Sequence, residues 1–195
     1  MVDSFRANGY VDGGVITNKR DEQLDIAAMP PILRALLVTD GTVTKTLEAF
    51  FWEPVKVEQL GQEIIALKEG IPAMECLTGK EVLKRKVSIY GERSGDIYAY
   101  ATSILNLDEL PEDVREQLIS GKIGIGELLR DKGLETYRQV FNIYREIKHE
   151  VVPNSPSYYH GELVCRTYHI FLDHKPVIQV TEKFPIRLYN NKIPY

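Results

Sequence analysis

A strand buries one face, and the last strand-like stretch of this chain, VIQVTEKFP at 177–185, sets a charge on the face it would bury. Successive side chains of a strand point to opposite sides, so Ile178, Val180, Glu182 and Phe184 share one face. Val177, Gln179, Thr181 and Lys183 share the other. The first set is the apolar one, and it carries a carboxylate. The same test on EVLKRKVSI puts Arg85 in line with Leu83, Val87 and Ile89, while Lys84 and Lys86 fall on the polar side. In LVCRTYHIFL, Arg166 is in line with Val164, Tyr168, Ile170 and Leu172.

An isolated ion in an apolar interior is expensive, so a fold that accepts these three charges must give each a partner. A buried salt bridge between Glu182 and Arg85 or Arg166 is one solution. A β-bulge that inverts one of the faces is another. Two guanidiniums and one carboxylate still leave a surplus positive charge, and a guanidinium fits a carboxylate in a bidentate fork. The pattern predicts a pocket for a small anion built into a sheet.

The remaining segments say what kind of sheet. PVKVEQLGQEI alternates as a half-buried strand, EVLKRKVSIYGE and DIYAYATSILN read as a hairpin across RSG, and two more strands flank Asp173-His174-Lys175. Helices are expected from Leu24 to Val38, interrupted or restarted at Pro30-Pro31, and from Thr42 or Thr44 as N-cap to about Phe51. LDELPEDVREQLISG has Pro and acids at its start and Gly at its end, as a helix does. ETYRQVFNIYREIKHEVV fits either a helix or a strand, and PNSPSYYHG reads as a loop or short turn. Strands in neighbouring pairs with helices between them give an α+β fold with a single, mostly antiparallel sheet. Residues 1–21 lack any period and read as a flexible arm, and 22–195 as one domain.

Composition narrows the class. At 195 residues, 44% hydrophobic and 27% charged, the chain matches an ordinary globular domain. A net charge of -4 offers no footprint for nucleic acid, and no partner of that kind is expected. The N-terminus has no apolar signal region, and IAAMPPILRALLV, broken by prolines and Arg34, is too short to span a bilayer. A cytoplasmic protein without membrane contact is expected, with Cys76 and Cys165 as buried thiols. GKIGIG lacks the Lys-Ser/Thr ending of a phosphate loop and reads as a turn or flap. The four histidines, 149, 160, 169 and 174, show no metal-ligand spacing.

The blocks LLVTDGTVTKTLE, VLKRKVSI, GKIGIGELL, CRTYHIFLDHKP and VIQVTEKFPIRLY resemble the chorismate pyruvate-lyase family from about Leu33 to Tyr189. A more distant likeness is to the effector-binding domains of bacterial transcription regulators, which share that fold. The resemblance implies helix-turn flaps over an internal ligand pocket, and it settles ETYRQVFNIYRE as a strand. It implies removal of pyruvate from chorismate to leave 4-hydroxybenzoate, with no metal or organic cofactor. It assigns Arg85 to the ring carboxylate, Glu182 to the ring hydroxyl, Ile125 and Gly126 to the ring face, Val43 to the pocket cover, and Arg166 to the second carboxylate. A chorismate-like anion is then the expected partner. The alternative is a non-catalytic sensor of a small organic acid on the same fold. Oligomeric state is not legible.

Overall fold

The structure is a computed structural model and describes residues 12–18, 21–121, 123–151 and 158–190. Its centre is a six-stranded antiparallel sheet in the order β3 (Val55–Ala66), β4 (Glu81–Gly91), β5 (Ile97–Leu105), β8 (Lys175–Pro185), β7 (Tyr158–Leu172), β6 (Thr136–Val151). Two short strands, β1 (Val15–Thr17) and β2 (Gln23–Asp25), pair separately. The helices are α1 (Pro31–Val38), α2 (Val43–Phe51), α3 (Glu112–Ser120), α4 (Ile125–Asp131) and α5 (Ile186–Asn190). No helix among the described residues is long and apolar enough to cross a membrane.

The ambiguous segment is β6, and a bulge explains why it looked helical. Register slips between Val140 and Asn142, leaving Phe141 as the extra residue. Val140 and Ile143 therefore share the concave face three positions apart, opposite Tyr168 and Arg166. Phe141 and Tyr137 turn to the other face and stack on His169 and Phe171. A second bulge, on β5 at Tyr98, turns that ring against Phe51 of α2 with ring centroids 3.7 Å apart. The β7–β8 turn is Asp173-His174, both at positive φ (50° and 65°), the geometry whose twist suits a two-residue hairpin.

The helix expected from Leu24 begins only at Pro31. Pro30 bars the helical conformation to its predecessor, whereas Pro31 at the first helical position loses no hydrogen bond. The stretch before it became β2, whose partner β1 lies within the segment read as an arm. Residues 1–11 of that arm, and 152–157 of the expected loop, lie outside the described residues, as do the side chains of His149 and His160.

Two helical pairs cover the concave face and leave a gap between them. Leu33, Leu36, Leu37 and Leu47 of α1 and α2 pack with Ile143, Val164 and Phe184 at one end. Leu118, Leu128 and Leu129 of α3 and α4 pack with Leu83, Leu105, Ile170 and Ile178 at the other. Both cysteines are buried and free, in separate clusters.

Candidate active site

The gap is a cavity of about 480 Å³. Its floor is Ala101 and Ser103 of β5, Val180 and Glu182 of β8, and Tyr168 and Ile170 of β7. Arg85, Val87 and Ile89 of β4 form one wall; Val55, Lys56 and Val57 of β3 add a rim. The α1–α2 turn closes one side with Gly41 to Lys45, and the start of α4 closes the other with Gly124 to Glu127.

Register explains the hollow. One row across the sheet runs Arg85, Ser103, Val180, Tyr168; the next runs Val87, Ala101, Glu182, Arg166. Arg85 and Glu182 therefore stand two strands apart, roughly 10 Å. Between them lie only an alanine and a serine, so the space that a Leu or Phe would fill stays open.

Glu182 is 5% exposed and doubly held. Its Oε2 accepts from Arg166 Nε at 2.7 Å and its Oε1 from the Tyr168 hydroxyl at 3.0 Å. Burial, reinforced by the Glu182 charge, pushes the Tyr168 phenol well above its ordinary range, so it remains a donor. Arg166 is fully buried and does not line the cavity. Its Nη1 donates to the Thr39 carbonyl at 2.9 Å, which ties down the α1–α2 turn, and its guanidinium lies 5.0 Å from the Tyr168 ring centre. Arg166 was expected to hold a ligand's second carboxylate; in the structure its cross-strand partner is Glu182 itself, and its Nη2 is buried without an acceptor among the described residues.

Arg85 is the surplus cation. It is 4% exposed, and among the described residues no carboxylate pairs with it. Its Nη2 donates to Gln59 Oε1 at 3.3 Å and to the Ile123 carbonyl at 3.1 Å, just before α4. Its Nε and Nη1 are shut off from water and have no acceptor among the described residues. Burial lowers its pKa, which means that the fold makes its charge costly. A carboxylate delivered into the cavity would relieve that cost.

The other cations at the cavity are rim groups, with one exception. Lys45 pairs with Glu48 at 2.7 Å, Arg130 with Asp131 at 2.9 Å and Lys56 with Glu92 at 3.3 Å, and each of these cations is more than half exposed. Arg138 of β6 has a side chain only 14% exposed. Its backbone N–H donates to Asp40 Oδ1 at 2.8 Å and its Nη1 to the Asp40 carbonyl. Among the described residues no three His, Cys, Asp or Glu side chains gather to hold a metal ion.

Of the residues marked from sequence, Arg85, Glu182, Val43, Ile125 and Gly126 meet around this one cavity, and Arg166 stands behind it. Sequence reasoning missed Arg138, the hydroxyl of Tyr168 and the small floor. The floor had a signal: in IYAYATS, Ala99, Ala101 and Ser103 alternate as small residues on one face. Arg138 had none, because periodicity alone reads its segment equally as helix or strand and so assigns it no face.

Comparison with known proteins gives the family of the chain. A chorismate pyruvate-lyase of Mycobacterium leprae is 27% identical over 177 residues, 87% of this chain and 81% of its own. That of Mycobacterium tuberculosis is 25% identical over 164 residues, 78% of each chain. PhnF of Mycobacterium smegmatis shares the fold at 13% identity, with a TM-score of 0.55 over 89% of this chain and 74% of its own. The family profile described as Chorismate pyruvate-lyase Rv2949c-like matches residues 37–192. With most of its length covered by that profile, the chain belongs to the Rv2949c-like chorismate pyruvate-lyase family.

Proposed function

We propose that this protein eliminates pyruvate from chorismate to leave 4-hydroxybenzoate, in the cavity between the two flaps. The observation that carries the reading is the pairing of a buried guanidinium bearing unmatched donors, Arg85, with a doubly anchored carboxylate, Glu182, across a floor of small residues. A ring with a carboxylate at one end and a hydroxyl at the other matches that pairing.

In the reaction the ring loses the hydrogen on its hydroxyl-bearing carbon, and the neighbouring carbon–oxygen bond to the enolpyruvyl group breaks. The departing enolpyruvate gains a proton on its methylene carbon and becomes pyruvate. Atoms and electrons balance without an oxidant, and the ring's aromaticity supplies the driving force. The protein then has to position the ring and exclude water. Arg85 takes the ring carboxylate. Glu182 accepts the hydrogen bond of the ring hydroxyl and stabilises positive charge that builds beside it as the carbon–oxygen bond lengthens. Arg166 and Tyr168 position that carboxylate. Val43 and Ile125 cover the ring, and Gly126 lets the flap come close.

Purified protein incubated with chorismate should release 4-hydroxybenzoate, read by its absorbance, and pyruvate, read by a coupled assay. Absence of both products refutes the lyase reading. Tight binding of 4-hydroxybenzoate without turnover would identify a binding protein instead. Arg85→Ala should weaken 4-hydroxybenzoate binding about ten- to a hundredfold in calorimetry, the worth of a charge-assisted hydrogen-bonded pair. Unchanged affinity would remove Arg85 from the anion site. Glu182→Gln should reduce turnover more than binding.

A further inference from the structure

We propose that Arg138 receives a second carboxylate, so that the cavity is built for a dicarboxylate and Arg138 selects dianions over monoanions. The inference rests on the reading of the site given above and deepens it. It begins from a charge count. Arg166 is neutralised by Glu182, and Arg85 alone answers one ligand carboxylate. A second anionic group needs another cation facing the cavity.

Lys45, Lys56 and Arg130 do not meet the need, because each is solvated and already paired at the rim. Arg138 does. Its side chain is mostly buried, and the Asp40 carboxylate lies 3.6 Å from its Nη1, at a position 59% exposed where water screens the pair. Among the described residues its Nε and Nη2 make no hydrogen bond, so one edge of the guanidinium fork is free for a bidentate partner. A Cβ added to Gly126 would stand 3.8 Å from Nη2, which places the free edge beside the α4 flap.

The sheet order sets the geometry. Arg138 pairs with Ile170 on β7, on the far side of Glu182 from Arg85. Four strand spacings separate the backbones of Arg85 and Arg138, roughly 19 Å, and both residues line the cavity between. A ligand with one carboxylate on Arg85 and a hydroxyl at Glu182 would therefore carry its second carboxylate, on a short arm beside that hydroxyl, toward Arg138. The bond from Arg138 Nη1 to the Asp40 carbonyl holds the guanidinium in place before the ligand arrives, so less freedom is lost on binding.

The test compares two ligands by calorimetry on the full chain: 4-hydroxybenzoate, a monoanion, and 3-(1-carboxyvinyloxy)benzoate, a dianion that cannot eliminate. Arg138→Met should weaken the dianion about ten- to a hundredfold and the monoanion by less than about threefold. Arg138→Lys keeps the charge and loses the fork, so it should weaken only the dianion, by an intermediate factor. If the Met variant does not fold, judged by circular dichroism, the Lys variant decides. Equal losses for both ligands, or no loss for either, overturn the proposal while leaving the Arg85–Glu182 site standing. A wild-type protein that binds neither ligand overturns both.

Discussion

Removing the guanidinium behind Glu182 should damage stability and chemistry by different amounts, and a double-mutant cycle separates them. Arg166 is fully buried, ion-paired to Glu182 at 2.7 Å and bonded to Thr39. Arg166→Met leaves the Glu182 charge buried with only the Tyr168 hydroxyl as a donor, and breaking a buried pair from one side costs about 3–5 kcal/mol. Glu182→Gln strands the Arg166 charge in turn and should cost about 2–4 kcal/mol. With both changes no uncompensated ion remains, so the double variant should be more stable than the sum of the singles predicts by at least about 1.5 kcal/mol. Urea unfolding of the four proteins measures this directly. Turnover of chorismate should stay low in the double variant although its stability recovers, because the carboxylate charge beside the ring hydroxyl is still gone. Stability effects that add to within about 0.5 kcal/mol would refute the coupling and with it the placement of Arg166 as the group that holds Glu182.

Ala101→Leu should fill the floor between Arg85 and Glu182, lowering 4-hydroxybenzoate affinity by about a hundredfold or more while costing less than about 2 kcal/mol of stability; unchanged affinity would place the ligand elsewhere. In the connection between α2 and β3, burial alone would raise the pKa of Glu53, but donors from Tyr98, Ser94 and Arg93 of the β4–β5 region outweigh it and pull the pKa down from 4.5 to about 2. Its stabilisation is therefore complete above 4.5 and fades as pH falls toward about 2. Glu53→Gln should cost about 1–2 kcal/mol near neutrality, allowing for solvent screening at this partly exposed position. Its melting temperature should also fall less than wild type's over that acid range; parallel declines would rule out Glu53 as an acid-sensitive contact.

Much of the fold was legible because strand alternation is local. The face carrying Ile178, Val180, Glu182 and Phe184 is buried as read, as is the line through Arg166; in the line through Arg85, Leu83 and Ile89 are buried and Val87 is half-buried. Alternation also marked three charges that an apolar face does not tolerate without partners. Where a bulge broke the period, alternation alone stopped: Phe141 in β6 hid the strand and with it Arg138, and the extra residue Tyr98 in β5 packs against Phe51 of α2.

Pairing was decided by tertiary structure alone. Two buried arginines competed for one carboxylate, and nothing local distinguishes them. Strand order and register do, because they set Arg166 directly opposite Glu182 and leave Arg85 two strands away across Ala101 and Ser103. Which cation is spent on the protein and which stays available to a ligand follows from distances between segments far apart in the chain. Which face of a strand a side chain takes can be read from its neighbours in sequence; a charge's partner depends on which strands meet.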